Sequence, residues 1–116
     1  MQIDEEKALE ALDGNYELLV ELAQIFCEDA PVLLRDFERA LDSGEAHAAR
    51  LAAHSLKGLA ATFYALPTVE AAYAVENECG QGRLEAVRNG AASKLEEMID
   101  TMIDEIKSRG WVHTTN

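Results

Sequence analysis

Proline, cysteine and aromatic residues are scarce in this chain: two prolines, two cysteines and 6% aromatic side chains in 116 residues. With few β-branched residues as well, little stands in the way of long helices, and no segment alternates with the period of two that a half-buried strand needs. Cys27 and Cys79 are far apart, and neither has a second Cys or a His at zinc-ligand spacing. Two reduced thiols in a helical core are therefore expected, not a disulfide or a metal site. Basic residues are also in deficit, 10 Lys and Arg against 22 Asp and Glu, for a formal charge of -12. That balance repels phosphate backbones and anionic headgroups, so neither nucleic acid nor a membrane is expected as a partner, and a monomer is. No apolar run approaches the roughly 18 residues that span a bilayer. The acidic opening Met1-Gln2-Ile3-Asp4-Glu5-Glu6 is unlike the basic start of a signal peptide, and a cytoplasmic chain is expected.

What is present is helix-forming. Ala, Leu and Glu are abundant, and 48% hydrophobic with 28% charged residues is ordinary for one folded domain able to bury a core of its own. Asp4 suits the N-cap of a short helix over 5–12, ended by Asp13-Gly14-Asn15. From Tyr16 to Leu41, the residues Leu18, Leu19, Leu22, Ile25, Phe26, Ala30, Leu33, Leu34, Phe37 and Leu41 recur at three- and four-residue steps, with Pro31 expected to kink or split the segment near Asp29. A third helix, 45–64, carries Ala49, Ala53, Leu56, Ala60 and Phe63 on one stripe. A fourth starts around Pro67 and runs to Cys79, with Gly80 and Gly82 as its stop. A fifth spans 84–107 on Leu84, Val87, Ala91, Leu95, Met98, Met102 and Ile106, with Gly90 as a weak point. Short connections favour antiparallel neighbours. The expected fold is all-α: an up-down four-helix bundle with a short additional N-terminal helix, the domain covering 1–108 and a loose tail following over 109–116. Trp111 fits either the tail or a cap on the bundle end.

One face carries chemistry. His54 lies two residues, or about 200°, from Leu56 near the middle of the third helix's core stripe, so its imidazole is expected to face solvent. Lys57 and Gly58 sit one turn along that face, Arg50 one turn before and Ala61 two turns after. An exposed imidazole has a ring nitrogen able to attack phosphorus. The Lys57 ammonium can stabilise a phosphoryl group, with Arg50 contributing at longer range or simply pairing with Glu45. Gly58 weakens the helix but clears the surface beside the ring for a bulky partner. Leu59 and Ala61 are expected to form the centre of a docking patch rimmed by Arg50 and Lys57. His47 lies one heptad earlier and lacks the downstream Lys and Gly. A Ser/His/Asp hydrolase is disfavoured, because Ser55 has no strand-turn-helix context.

Ala53-His54-Ser55-Leu56-Lys57-Gly58 resembles the His-x-Leu-Lys-Gly signature of histidine-containing phosphotransfer domains, and Phe26-Cys27-Glu28-Asp29-Ala30-Pro31 and Ala65-Leu66 are similar to that family too. The resemblance implies a phosphorelay intermediate, a phosphocarrier and not a free-standing kinase. It would accept a phosphoryl group on His54 from a receiver-domain aspartyl phosphate and pass it to another receiver. Lys57 is then the charge stabiliser and Gly58 the clearance position. Glu76 stands where some members carry a polar residue that orients the imidazole, although by itself it reads as an ordinary solvated or interhelical carboxylate. No cofactor of its own is implied, since Mg²⁺ belongs to the partner receiver. The implied partners are response-regulator receiver domains and a hybrid sensor histidine kinase. Two positions depart from the pattern: Tyr64 stands where many members have Gly, and Leu59-Ala60 where small polar residues are common. The reading set against all this is a docking-only helical module that binds a receiver or kinase and regulates it without carrying phosphate.

Overall fold

The computed structural model describes residues 2–112. Its helices are α1 (Glu5–Ala11), α2 (Tyr16–Asp42), α3 (Ala46–Thr62), α4 (Leu66–Gly80), a single turn α5 (Leu84–Ala86) continued by a π turn (Val87–Ala91), and α6 (Ala92–Ser108). No strand occurs among the described residues. Helix α3 packs between α2 and α4, and α6 closes the bundle against both. The expected all-α bundle with a short extra N-terminal helix is therefore what forms.

Local signals set the helix starts. Asp4 caps α1 by accepting from the Lys7 amide, and Asn15 caps α2 by accepting from the Leu18 amide at 3.0 Å. The buried line of α2 is Leu19, Ala23, Phe26, Ala30, Leu34, Phe37 and Leu41, at steps of three and four. It is narrower than the sequence stripe: Leu18, Leu22 and Leu33 are half-buried and Ile25 is exposed. Pro31 does not split α2, which runs unbroken through it. The missing proline amide removes one intrahelical bond, but Phe26 and Ala30 before it and Leu34 and Phe37 after it are buried in the same core, so packing keeps the helix continuous across it. The five stripe residues of the third helix, Ala49, Ala53, Leu56 and Ala60 within α3 and Phe63 at its C-cap, are all buried.

The expected single helix over 84–107 is broken. Asn89 (φ -79, ψ 35) and Gly90 (φ 122, ψ -30) leave the helical region, and Gly90 takes a conformation that a side chain strains. The break resets the helical phase. Ala91 faces solvent and Met98 is only half-buried, while Ile99 joins Leu95, Met102 and Ile106 in the core.

The chain beyond α6 is not loose from 109 onward. Trp111 is 3% exposed and stacks on Phe63 with ring centroids 6.2 Å apart, and Phe63 in turn meets Phe26 edge-on at 5.7 Å. Arg109 lies over the Trp111 ring and pairs with Glu5 at 2.6 Å. This cap also holds the start of the chain: the Asp4 amide donates to the Phe63 carbonyl, and the Ile3 amide donates to Glu105. His113 and the rest of the expected tail, 113–116, lie outside the described residues.

Candidate functional site

The site lies along the seam between α3 and α4. Contacts across it pair residue 50 with 80, 54 with 76 and 57 with 73, which makes the two helices antiparallel. Burial of Ala53 and Leu56 turns His54 outward, and its side chain is 59% exposed. Helix α3 carries Arg50, Lys57, His47 and His54 and no acidic residue at all. In a chain with 22 acids, this leaves a locally positive strip in a negative surface.

Glu76 is the acid that meets this strip. One carboxylate oxygen, Oε2, stands 2.9 Å from Nδ1 of His54, and the other, Oε1, stands 2.8 Å from Nζ of Lys57 in an ion pair. The Lys57 ammonium, and after it the His54 ring, hold the Glu76 carboxyl below the ordinary carboxylate range against the opposing effect of burial. An ionised carboxylate only accepts, so Nδ1 of His54 carries the donated proton and Nε2 is left with a free lone pair. The nitrogen distal to Glu76 is thus the one not engaged by the carboxylate. Lys57 is held from a second side by the Tyr73 ring, 5.1 Å from its nitrogen.

Gly58 sits beside His54 with no atom within 4 Å of where a Cβ would stand, so its missing side chain leaves open surface and fills no tight internal contact. Gly58, Ser55 and Leu59 of α3 line a shallow groove with Asp29, Val32 and Leu33 of α2. The groove continues past Leu51, and both Val32 and Leu51 are 47% exposed. Leu59 is half-buried in this groove. Ala61 is exposed close to the angular position of His54, since seven residues turn a helix nearly twice. The two expected docking residues therefore do not form one patch. Val32, Leu51 and Tyr73 are the large exposed side chains around the histidine, and sequence reasoning missed all three. Spacing marks buried stripes well but does not separate a partner-facing apolar residue from a core one.

Arg50 is half-buried and does not pair with Glu45. His47 is exposed. Burial pushes both free thiols, Cys27 and Cys79, above their ordinary pKa, which favours the thiol over the nucleophilic thiolate. Among the described residues no group of three or more His, Cys, Asp and Glu is placed to hold a metal ion.

A family model described as Hpt domain matches residues 21–108, most of the chain including the whole His54 seam. The chain belongs to the Hpt domain family. No curated protein and no solved structure matches it. An Hpt domain is a phosphocarrier module of two-component phosphorelays, not a kinase, and it interacts with response-regulator receiver domains. Among the described residues of this Hpt domain, no helix is long and apolar enough to cross a membrane.

Proposed function

We propose that His54 is the phosphoacceptor of this Hpt domain, taking a phosphoryl group from the aspartyl phosphate of one receiver and giving it to the aspartate of another. The hydrogen bond between Glu76 and Nδ1 of His54, at 2.9 Å on an exposed ring, carries the reading. The Nε2 lone pair attacks phosphorus in line, the Nε2–P bond forms, the acyl-phosphate P–O bond breaks, and the receiver aspartate leaves as carboxylate. The Nδ1 proton stays on the ring, and Glu76 balances the positive charge that the ring gains. Lys57, already turned toward the ring by Glu76, shares its charge with the phosphoryl oxygens. In the reverse step His54 leaves as a neutral imidazole and needs no added proton. Mg²⁺ belongs in this reading to the receiver, where it neutralises the acidic pocket.

Docking is assigned to the groove of Val32, Leu33, Leu51 and Leu59, with Gly58 as the open position that lets the receiver bring its aspartate close. The domain is proposed to act in the cytoplasm as a monomer, and a hybrid sensor histidine kinase is the proposed source of phosphate upstream. Replacing His54 with Gln tests the reading. Phosphotransfer from a labelled receiver is expected to vanish while receiver binding persists. Full regulation of a receiver by His54→Gln, without any transfer by the wild type, would establish a docking-only module instead.

A further inference from the structure

Three cations are half-buried among the described residues. Lys57 meets Glu76 at 2.8 Å and Arg109 meets Glu5 at 2.6 Å, whereas Arg50 makes no ion pair. Acids outnumber bases by 22 to 10 in this chain, so a guanidinium with no ion pair, on a helix that carries no acid, is a cation open to an incoming anion. The acid on the seam beside it, Glu76, is already occupied by His54 and Lys57. Lys57 therefore brings a compensated charge to the site, and Arg50 an uncompensated one.

The fold also holds Arg50 in place. Gly80 is the last residue of α4 and its backbone is not left-handed, so no turn requires a glycine there. A Cβ at Gly80 would stand 3.2 Å from Cδ of Arg50, tighter than ordinary packing. The glycine thus admits the arginine stem against α4. Arg50 precedes His54 by one turn, about 6 Å along the axis, and helical side chains lean toward the N-terminus, which brings the His54 ring over the turn that carries Arg50. Lys57 approaches the ring from the other side.

We propose that Arg50 is a second phosphoryl-binding residue, its guanidinium taking the oxygens of the phosphoryl group on Nε2 of His54. A planar fork suits two phosphoryl oxygens at once, which the single ammonium of Lys57 does not offer. This rests on the reading of His54 as phosphoacceptor.

Phosphoramidate, a donor without a protein surface, tests it apart from docking. The donor reacts in its N-protonated form: Nε2–P forms, the donor P–N bond breaks, ammonia leaves, and His54 keeps its Nδ1 proton. Arg50→Gln retains much of the stem on Gly80 and removes the charge. It is expected to slow labelling of His54 about tenfold, the scale of one charge-assisted hydrogen bond, while Arg50→Lys keeps most of the rate. Arg50→Gln labelling as fast as wild type would overturn the proposal, even if transfer from a receiver slowed, because Arg50 would then act on the partner. An Arg50→Lys rate as low as that of Arg50→Gln would overturn it as well, since the charge would not be what acts. If phosphoramidate fails to label wild-type His54 at all, the phosphoacceptor reading fails and this inference with it.

Discussion

Glu76 holds Nδ1 of His54 at 2.9 Å with one carboxylate oxygen and Nζ of Lys57 at 2.8 Å with the other, so one side chain from α4 fixes both the tautomer of the imidazole and the position of its neighbouring cation. The arrangement is a small charge balance: an anion between a cation and a ring that becomes cationic only when phosphorylated or protonated. Its consequences are separable by substitution.

The first concerns acid. Lys57 holds the Glu76 carboxyl below its ordinary value, so the folded pKa lies under the unfolded one. A depressed carboxylate stabilises the fold above its unfolded pKa, and that contribution is lost as pH falls through the folded value. Lys57→Met should accordingly be less stable than wild type at neutral pH, and the gap should close below the ordinary Glu range of about 4.3 as Glu76 protonates. Urea midpoints of both proteins at neutral and acidic pH measure this. A gap that stays constant across the two would show that the pairing contributes nothing.

Gly58 should show stability and function moving in opposite directions. Gly58→Ala meets open space and is expected to stabilise α3 by up to about 1 kcal/mol. The added methyl stands in the groove proposed for docking, so phosphotransfer from a receiver should slow by about ten- to a hundredfold while labelling by phosphoramidate stays unchanged. Denaturation and the two labelling assays read the three effects separately.

Gly90 gives a sign test. In an unbroken helix, Gly90→Ala would stabilise by up to about 1 kcal/mol. At φ 122 the side chain is strained, and the expected result is a loss of about 1–2 kcal/mol. Chemical denaturation of the single variant decides which backbone is present.

Trp111 should matter to the fold and not to the chemistry. It is buried against Phe63, so Trp111→Ala is expected to lose about 3 kcal/mol or more in denaturation experiments. The rate of His54 labelling, compared where both proteins are folded, should not move.

These particulars show what the sequence could reveal. The third helix was legible because Ala49, Ala53, Leu56, Ala60 and Phe63 leave only one face to solvent, and His54 is on it. Lys57 and Gly58 followed from the same spacing. Glu76 did not, because its meaning lies in a partner 22 residues away on another helix, and an isolated Glu on α4 looks like any solvated carboxylate. A glycine within a periodic pattern reads the same whether its φ is negative or positive, so Gly90 looked like a weak point in a helix when it is a break. The wide stripe assigned to α2 counted the half-buried Leu18, Leu22 and Leu33 and the exposed Ile25 together with the residues that face the core. Trp111 required the Phe63 ring, a contact that no local pattern announces.

The central claim is that His54 carries the phosphoryl group and passes it on. The direct measurement is transfer from a labelled receiver, with the modified residue mapped and its acid lability and alkali stability recorded, followed by a chase onto a second receiver in wild type and His54→Gln. The account predicts acid-labile, alkali-stable label on His54 that moves to the second receiver and is absent from His54→Gln. Label that persists in His54→Gln, or a folded wild type that binds receivers and never becomes labelled, would contradict it.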